Sequence, residues 1–261
     1  MAPVPPNHYI VRAGLWGATE KIPRGLTILT GAVPDWARGL GHMAPTYLCR
    51  FPGSLRRPSR LRTIVVSELT ETPSPKAVLR AQAISLRDAL PPAVRAAAAE
   101  AIADRTFPLK IAPGTIVSGF SPMKSEINPI PLMRRLADGG AQLALPAIAG
   151  RGKPLIMRAW TFGDALKTGQ WGIREPMPEA AEVAPDILIV PLAAFDRRGH
   201  RIGYGAGYYD MTINALRATK KVSAIGVAFA AQEIPQVPVT ERDERLDFVL
   251  TERETIDLRE S

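Results

Sequence analysis

From residue 76 onward the apolar and polar positions fall into two alternating rhythms. Ala77 to Leu90 carries Ala, Leu and Arg at helical spacing and stops at Pro91-Pro92, which predicts a helix. Ala93 to Ala103 predicts a second helix. The β-branched run at 115–120 follows the turn Pro113-Gly114 and predicts a strand. Pro129 opens a third helix to Ala137, closed by Gly139-Gly140. Strands are expected at Gln142 to Leu145 and at Pro154 to Arg158. Asp186 to Pro191 is a short apolar run of the kind buried on both faces of a parallel sheet. A glycine-rich loop then leads into a helix from Tyr208 to about Arg217, and a further buried strand spans 222–229. Strands alternating with helices predict an α/β fold whose mostly parallel sheet is covered on both faces.

Residues 1–75 show neither rhythm. They hold ten prolines and seven glycines, and the stretch 51–62 is basic and rich in turn formers. No charged start leads into an apolar core with a small-residue cleavage site, so a secretory signal is not expected. The segment is expected to be a flexible extension, or to follow a start codon set too early, with the folded domain covering 76–261.

Composition narrows the chemistry. At 261 residues and 46% hydrophobic content the chain can bury a sizeable core. No apolar stretch reaches the length that spans a bilayer, so a soluble protein is expected. The single Cys49 excludes an internal disulfide framework and any multi-cysteine metal site, and suits a cytoplasmic location. Three histidines leave few candidates for imidazole chemistry. The net charge of +8 is uneven, because residues 1–75 hold nine Lys/Arg against four Asp/Glu. The body is therefore only mildly basic, which fits small anionic ligands and makes nucleic acid an unexpected partner.

Candidate chemistry is concentrated in a few segments. Gly199, Gly203, Gly205 and Gly207 lie between a buried-type strand and a helix. Glycines there let backbone N–H groups turn toward an oxyanion, the helix adds its N-terminal donors, and Arg201 can supply a charge. Neither the P-loop nor the dinucleotide fingerprint is met, and the alternative is a tight turn in which glycine only relieves strain. Asp210, in the first helical turn, is either a helix-start residue or a magnesium ligand. Asp243 is either its partner or a solvated loop charge. Tyr208 and Tyr209 are adjacent, so at most one faces the core and the other could stack on a ring. Glu126 is the one acid of a loop at a strand's C-terminal end, where open α/β sheets form ligand crevices, although a capping acid reads the same way. Lys76 and Arg80, at i and i+4, share a helix face that could clamp phosphates or be merely solvated.

Together these segments are more specific than any one alone. K-x-x-x-R at 76–80, S-E-I at 125–127, LALP at 143–146, W-G-I-R-E-P at 171–176, F-D-R-R-G-x-R-I-G-Y-G-x-G-Y-Y-D at 195–210 and P-V-x-x-x-D at 238–243 occur in that order. The series resembles the 5-formyltetrahydrofolate cyclo-ligase (5,10-methenyltetrahydrofolate synthetase) family over residues 76 to about 251. That resemblance implies a three-layer α/β sandwich of the type shared with ribose-5-phosphate isomerase and CoA transferases. It implies ATP- and Mg²⁺-dependent closure of 5-formyltetrahydrofolate to the methenyl compound, in a monomer with no nucleic-acid or membrane partner. It further implies ATP contacts from Lys76, Arg80 and the loop Arg201, Gly203, Tyr204, Gly205, Ala206, Gly207, Tyr208 and Tyr209, with Arg201 and Tyr209 nearest the chemistry. Ser121, Glu126, Tyr204 and Tyr208 would meet the folate, and Asp210 and Asp243 the magnesium. Tyr204 stands where some members have arginine, Ala206 where some have lysine, and Met211 where arginine is frequent. Arg201 is then the main cation of the glycine cluster, and Lys76 and Arg80 must supply the rest. Two other readings stay open at this stage: a related ATP-using enzyme for another formyl or carboxyl substrate, and a catalytically silent binding protein on the same scaffold.

Overall fold

A computed structural model describes residues 74–259 in full and, outside that span, the strand backbone at 8–11, 27–29 and 47–50. The chain divides into two units, Met1–Thr72 and Pro73–Ser261. In the first, β1 (His8–Val11), β2 (Thr27–Leu29) and β3 (Tyr47–Arg50) form an antiparallel sheet in the order β1-β3-β2. The extension expected over 1–75 otherwise lies outside the described residues.

The second unit begins with α1 (Pro75–Asp88), and Ser74 caps it by accepting from the Ala77 N–H. Next come α2 (Pro92–Asp104), β4 (Ile116–Ser118), α3 (Ile130–Asp138), β5 (Gln142–Ala147) and β6 (Ile156–Ala159). A hairpin of β7 (Leu166–Thr168) and β8 (Arg174–Pro176) precedes β9 (Ile187–Pro191). A second hairpin, β10 (Ala194–Phe195) and β11 (Arg201–Ile202), precedes α4 (Tyr208–Arg217). Finally β12 (Ser223–Val227), β13 (Phe248–Leu250) and β14 (Thr255–Asp257) close the unit. The expected helices all form, with boundaries within two residues. The strand expected from Pro154 starts at Ile156 and runs antiparallel to β5, because proline has no N–H for the ladder.

Seven strands form one sheet in the order β14-β13-β12-β9-β4-β5-β6. The inner five are parallel, and β14 and β6 pair antiparallel at the two edges. Successive side chains of a strand point to opposite faces, and both faces are covered. Ile187, Ile189, Ile225 and Leu250 meet Ile102 of α2 and Leu132 of α3, whereas Leu188, Val190 and Val249 meet Ile213 of α4. That is why β9 reads as unbroken apolar sequence. Among the described residues no helix is long and apolar enough to cross a membrane.

The glycine loop does not follow β9 directly. The β10–β11 hairpin intervenes, and Asp196 in its turn is fully buried. Its carboxylate accepts from the N–H groups of Arg198, His200 and Val237 at 2.9–3.1 Å and from the Arg198 guanidinium at 2.8 Å. The first half of the F-D-R-R-G series is therefore a brace that aims Arg201. Burial alone would raise this carboxyl, but the Val237, Arg198 and His200 bonds outweigh it and hold the group below its ordinary 3.8. The stabilisation is complete above the unfolded pKa and is lost as pH falls through the folded value, so acid weakens the brace. Asp196→Ala strands three backbone donors, that of Val237 fully buried, and is expected to cost about 3 kcal/mol in urea unfolding at neutral pH. A cost below about 1 kcal/mol, that of an ordinary surface change, would show that the turn holds itself.

Candidate active site

One cavity of about 420 Å³ collects most of the expected site. Its wall includes Ser121, Glu126, Arg201, Gly203, Tyr204, Ala206, Gly207, Tyr208, Tyr209 and Asp210. That volume lies within the range of small-molecule sites. The glycine loop enters it from β11, and its backbone explains the residue choice. Gly205 and Gly207 sit at φ +100° and +68°, where a side chain is strained. Gly207 also heads α4 and offers no side-chain cap, which leaves the first N–H groups of that helix without an internal acceptor.

The cations are not where composition alone would put them. The Arg201 side chain is only 3% exposed and donates to the Asp210 carboxylate at 2.8 Å and to the Glu244 carbonyl at 2.7 Å. Lys76 pairs with Asp243 at 2.7 Å across 167 residues of sequence. Arg80 donates from Nε to the Gly203 carbonyl at 2.6 Å and so buttresses the loop backbone. The Glu244 N–H bonds Asp210 at 3.1 Å, which brings the segment of Asp243 against the first turn of α4. Each expected metal carboxylate is thus held by one expected phosphate cation. Burial works against the charge of Asp243, but the Lys76 and Thr240 bonds prevail and lower its carboxyl. Lys76, Arg80 and Asp243 stand beside the loop and are not part of the cavity wall.

On the other wall, Glu126 accepts from the Met123 N–H at 2.8 Å and lies against the Tyr204 hydroxyl. Burial, then the Glu126 charge, raises the Tyr204 phenol, with Arg87 opposing; burial and then Glu126 also raise Tyr209. Both phenols therefore stay protonated at neutral pH and serve as donors, not bases. Ser121 faces the cavity but spends its proton on the Arg174 carbonyl at 2.7 Å. Tyr209 packs into the core while Tyr208 approaches Trp171, with ring centroids 6.2 Å apart.

Sequence reasoning assigned no role to Arg87, Glu175 or Trp171, which all line the cavity. Glu175 is buried, accepts from the Ile148 N–H at 3.2 Å and lies 3.8 Å from Lys167. Among the described residues only Lys124 and Trp171 are non-glycine positions with positive φ, at +51° and +54°. Both line this cavity. Backbone strain of this kind gathers at functional sites. The W-G-I-R-E-P and S-P-M-K-S-E runs held the signal, but a φ value is not legible in a sequence.

Comparisons with known proteins follow the same outline. The sequence pattern of the 5-formyltetrahydrofolate cyclo-ligase family matches residues 73–252. The 5-formyltetrahydrofolate cyclo-ligase of Mycolicibacterium smegmatis is 34% identical over 193 residues, covering 71% of this chain and 97% of the relative. That of Escherichia coli K12 is 32% identical over 143 residues, covering 52% of this chain and 76% of the relative. Among solved structures, the 5,10-methenyltetrahydrofolate synthetase of Aquifex aeolicus superposes with a TM-score of 0.59 at 27% identity, over 71% of this chain and 94% of its own. The synthetase of Mycoplasma pneumoniae shares the fold, with a TM-score of 0.55 at 19% identity over 68% of this chain and 99% of its own. With the ordered motifs meeting in one cavity and a match that spans most of the second unit, the chain belongs to the 5-formyltetrahydrofolate cyclo-ligase family.

Proposed function

We propose that this cavity carries out the ATP-dependent conversion of 5-formyltetrahydrofolate to 5,10-methenyltetrahydrofolate, with release of ADP and phosphate. The observation that carries the proposal is the meeting, in one cavity, of an uncapped helix start and glycine loop with an acid-lined, aromatic-rimmed wall. The first is built for phosphate. The second suits a flat heterocycle with N–H donors: Glu126 accepts from them, and Tyr208 with Trp171 flanks the ring.

In this scheme the formyl oxygen attacks the terminal phosphorus of ATP, and N10 then closes on the activated carbon. No side-chain nucleophile is needed, only positioning and charge stabilisation. The loop backbone and the N-terminus of α4 hold the phosphates, and Lys76 and Arg80 add charge from α1. Tyr204, kept protonated, donates to the Leu192 carbonyl at 3.3 Å and can turn that donor toward an oxygen of the reacting groups, while Tyr209 lines the cavity beside it. Asp210 and Asp243 suit Mg²⁺, which accepts one or two protein carboxylates and takes phosphate and water for the rest. The second oxygen of Asp210 carries no protein hydrogen bond among the described residues, so the donor set fits. Bound there, the ion would neutralise phosphate charge and free Lys76 and Arg201 from their carboxylates for the nucleotide.

The three-layer arrangement we assign to the ribose-5-phosphate isomerase and CoA transferase type. We place the chemistry within residues 76–261 of a cytoplasmic monomer. Purified protein given 5-formyltetrahydrofolate, Mg²⁺ and ATP is expected to generate the methenyl chromophore, and to generate none when ATP is left out. A folded protein that leaves the spectrum unchanged with ATP present would refute the proposal.

A further inference from the structure

Arg87 is the buried cation of the cavity wall that has no place in the scheme above. Arg87 lies seven residues beyond Arg80 on α1. Lys76, Arg80 and Arg87 therefore fall within about 40° of one another around the helix and span about 16 Å along it. The first two serve the loop from outside the cavity, through Asp243 and the Gly203 carbonyl. Arg87 reaches inside.

It is 3% exposed, which is rare for an arginine unless something compensates the charge. Compensation here is thin. Nε donates to Ser125 Oγ at 3.0 Å and one Nη donates to the Tyr204 hydroxyl at 2.5 Å. The carboxylate it approaches, Asp88, is 3.8 Å away, half exposed and bonded to Ser125. Its other Nη has no protein hydrogen bond among the described residues. A buried cation whose only nearby carboxylate is half exposed, and whose other cover is the Tyr204 ring 5.8 Å away, is balanced more fully when an anion meets it.

Position identifies the anion. Through Tyr204 the guanidinium touches the glycine loop, and through Ser125 it touches the residue before Glu126. It stands at the seam between the phosphate-holding and heterocycle-holding walls.

We infer that Arg87 is a catalytic residue whose unengaged Nη meets the phosphoryl group during its transfer to the formyl oxygen. This rests on the cyclo-ligase reading of the cavity. A lone pair of the formyl oxygen forms the new O–P bond, and the bond from phosphorus to the bridging oxygen breaks with its electron pair going to ADP. N10 then bonds the formyl carbon, the C–O bond breaks with its pair leaving on phosphate, and the N10 proton ends on that phosphate. Charge gathers on the equatorial phosphoryl oxygens, and a planar guanidinium with a fixed donor fork matches them better than an ammonium.

Arg87→Ala and Arg87→Lys in the full chain test this with 5-formyltetrahydrofolate, ATP and Mg²⁺. In both, kcat is expected to fall about 100-fold, the worth of one oxyanion donor, with little change in either KM. Added guanidinium ion is expected to restore turnover in Arg87→Ala and not in Arg87→Lys, where the space is filled. A raised KM for the folate with kcat retained would make Arg87 a substrate-carboxylate contact and overturn the inference. So would loss without rescue, or unfolding of both variants, which would assign Arg87 to the fold. The wild-type chain in the same assay separates the two levels: if it is inactive, the ligase reading fails and this inference falls with it.

Discussion

Arg201→Met is expected to slow methenyl formation by about a thousandfold or more, at the lower end of what a phosphate-facing arginine supplies in phosphoryl transfer. It is also expected to lower stability by about 3 kcal/mol, because it removes one partner of a largely buried pair. Arg201 ties the end of β11 to the first turn of α4 through Asp210, and to the following segment through the Glu244 carbonyl. Methionine fills the space but abandons both acceptors and leaves Asp210 with the Glu244 N–H alone among these contacts. Arg201→Lys keeps the charge but cannot bridge two acceptors in fixed geometry, so turnover is expected to fall there as well. Initial rates and urea unfolding of the three proteins check both parts. Near-normal turnover in Arg201→Met would remove the loop from the reaction.

Glu126→Gln is expected to lower kcat/KM for 5-formyltetrahydrofolate by about a thousandfold, the equivalent of about 4 kcal/mol, while leaving the affinity for ATP alone. The carboxylate presents acceptors only. Glutamine places an amide donor in the same wall, so a substrate N–H there would face another N–H. Tyr204 loses its charged neighbour in the same change. Kinetics with each substrate varied in turn, with nucleotide binding measured separately, divides the two effects. Equal losses toward ATP and folate would place Glu126 in the loop's support and not in heterocycle recognition.

The parts of this protein that were legible in its sequence are those governed by local rules. α4 runs over Tyr208–Arg217 as expected, because glycine before it and amphipathic spacing within it define a helix by themselves. β9 reads correctly because strands buried on both faces are continuously apolar. The two hairpins escaped notice because strands of two or three residues carry no periodicity to detect. The F-D-R-R-G run enters the sequence reading only as the opening of the longer motif at 195–210, with no role of its own. Asp196 shows that its first half is a brace one step behind the glycine loop.

Site residues divide in the same way. Residues 201–210 and Glu126 stand out as candidates because glycine spacing and motif order mark them. The pairing of Lys76 with Asp243 joins points 167 residues apart, and nothing local encodes it. Arg87 falls in the Ala-, Leu- and Arg-rich helix, where nothing in the sequence sets it apart. Only the packing of α1 against the 121–126 loop and Tyr204 shows it to be buried. The loop's charge is also lower than its sequence suggests, since Arg201 is paired with Asp210.

The most direct test of the account follows methenyl absorbance and phosphate release together in one reaction of the full chain with ATP, Mg²⁺ and 5-formyltetrahydrofolate. One phosphate released for each methenyl group formed, with neither signal when ATP or the folate is omitted, is the predicted result. Phosphate release without the chromophore, or the chromophore without ATP, would contradict it.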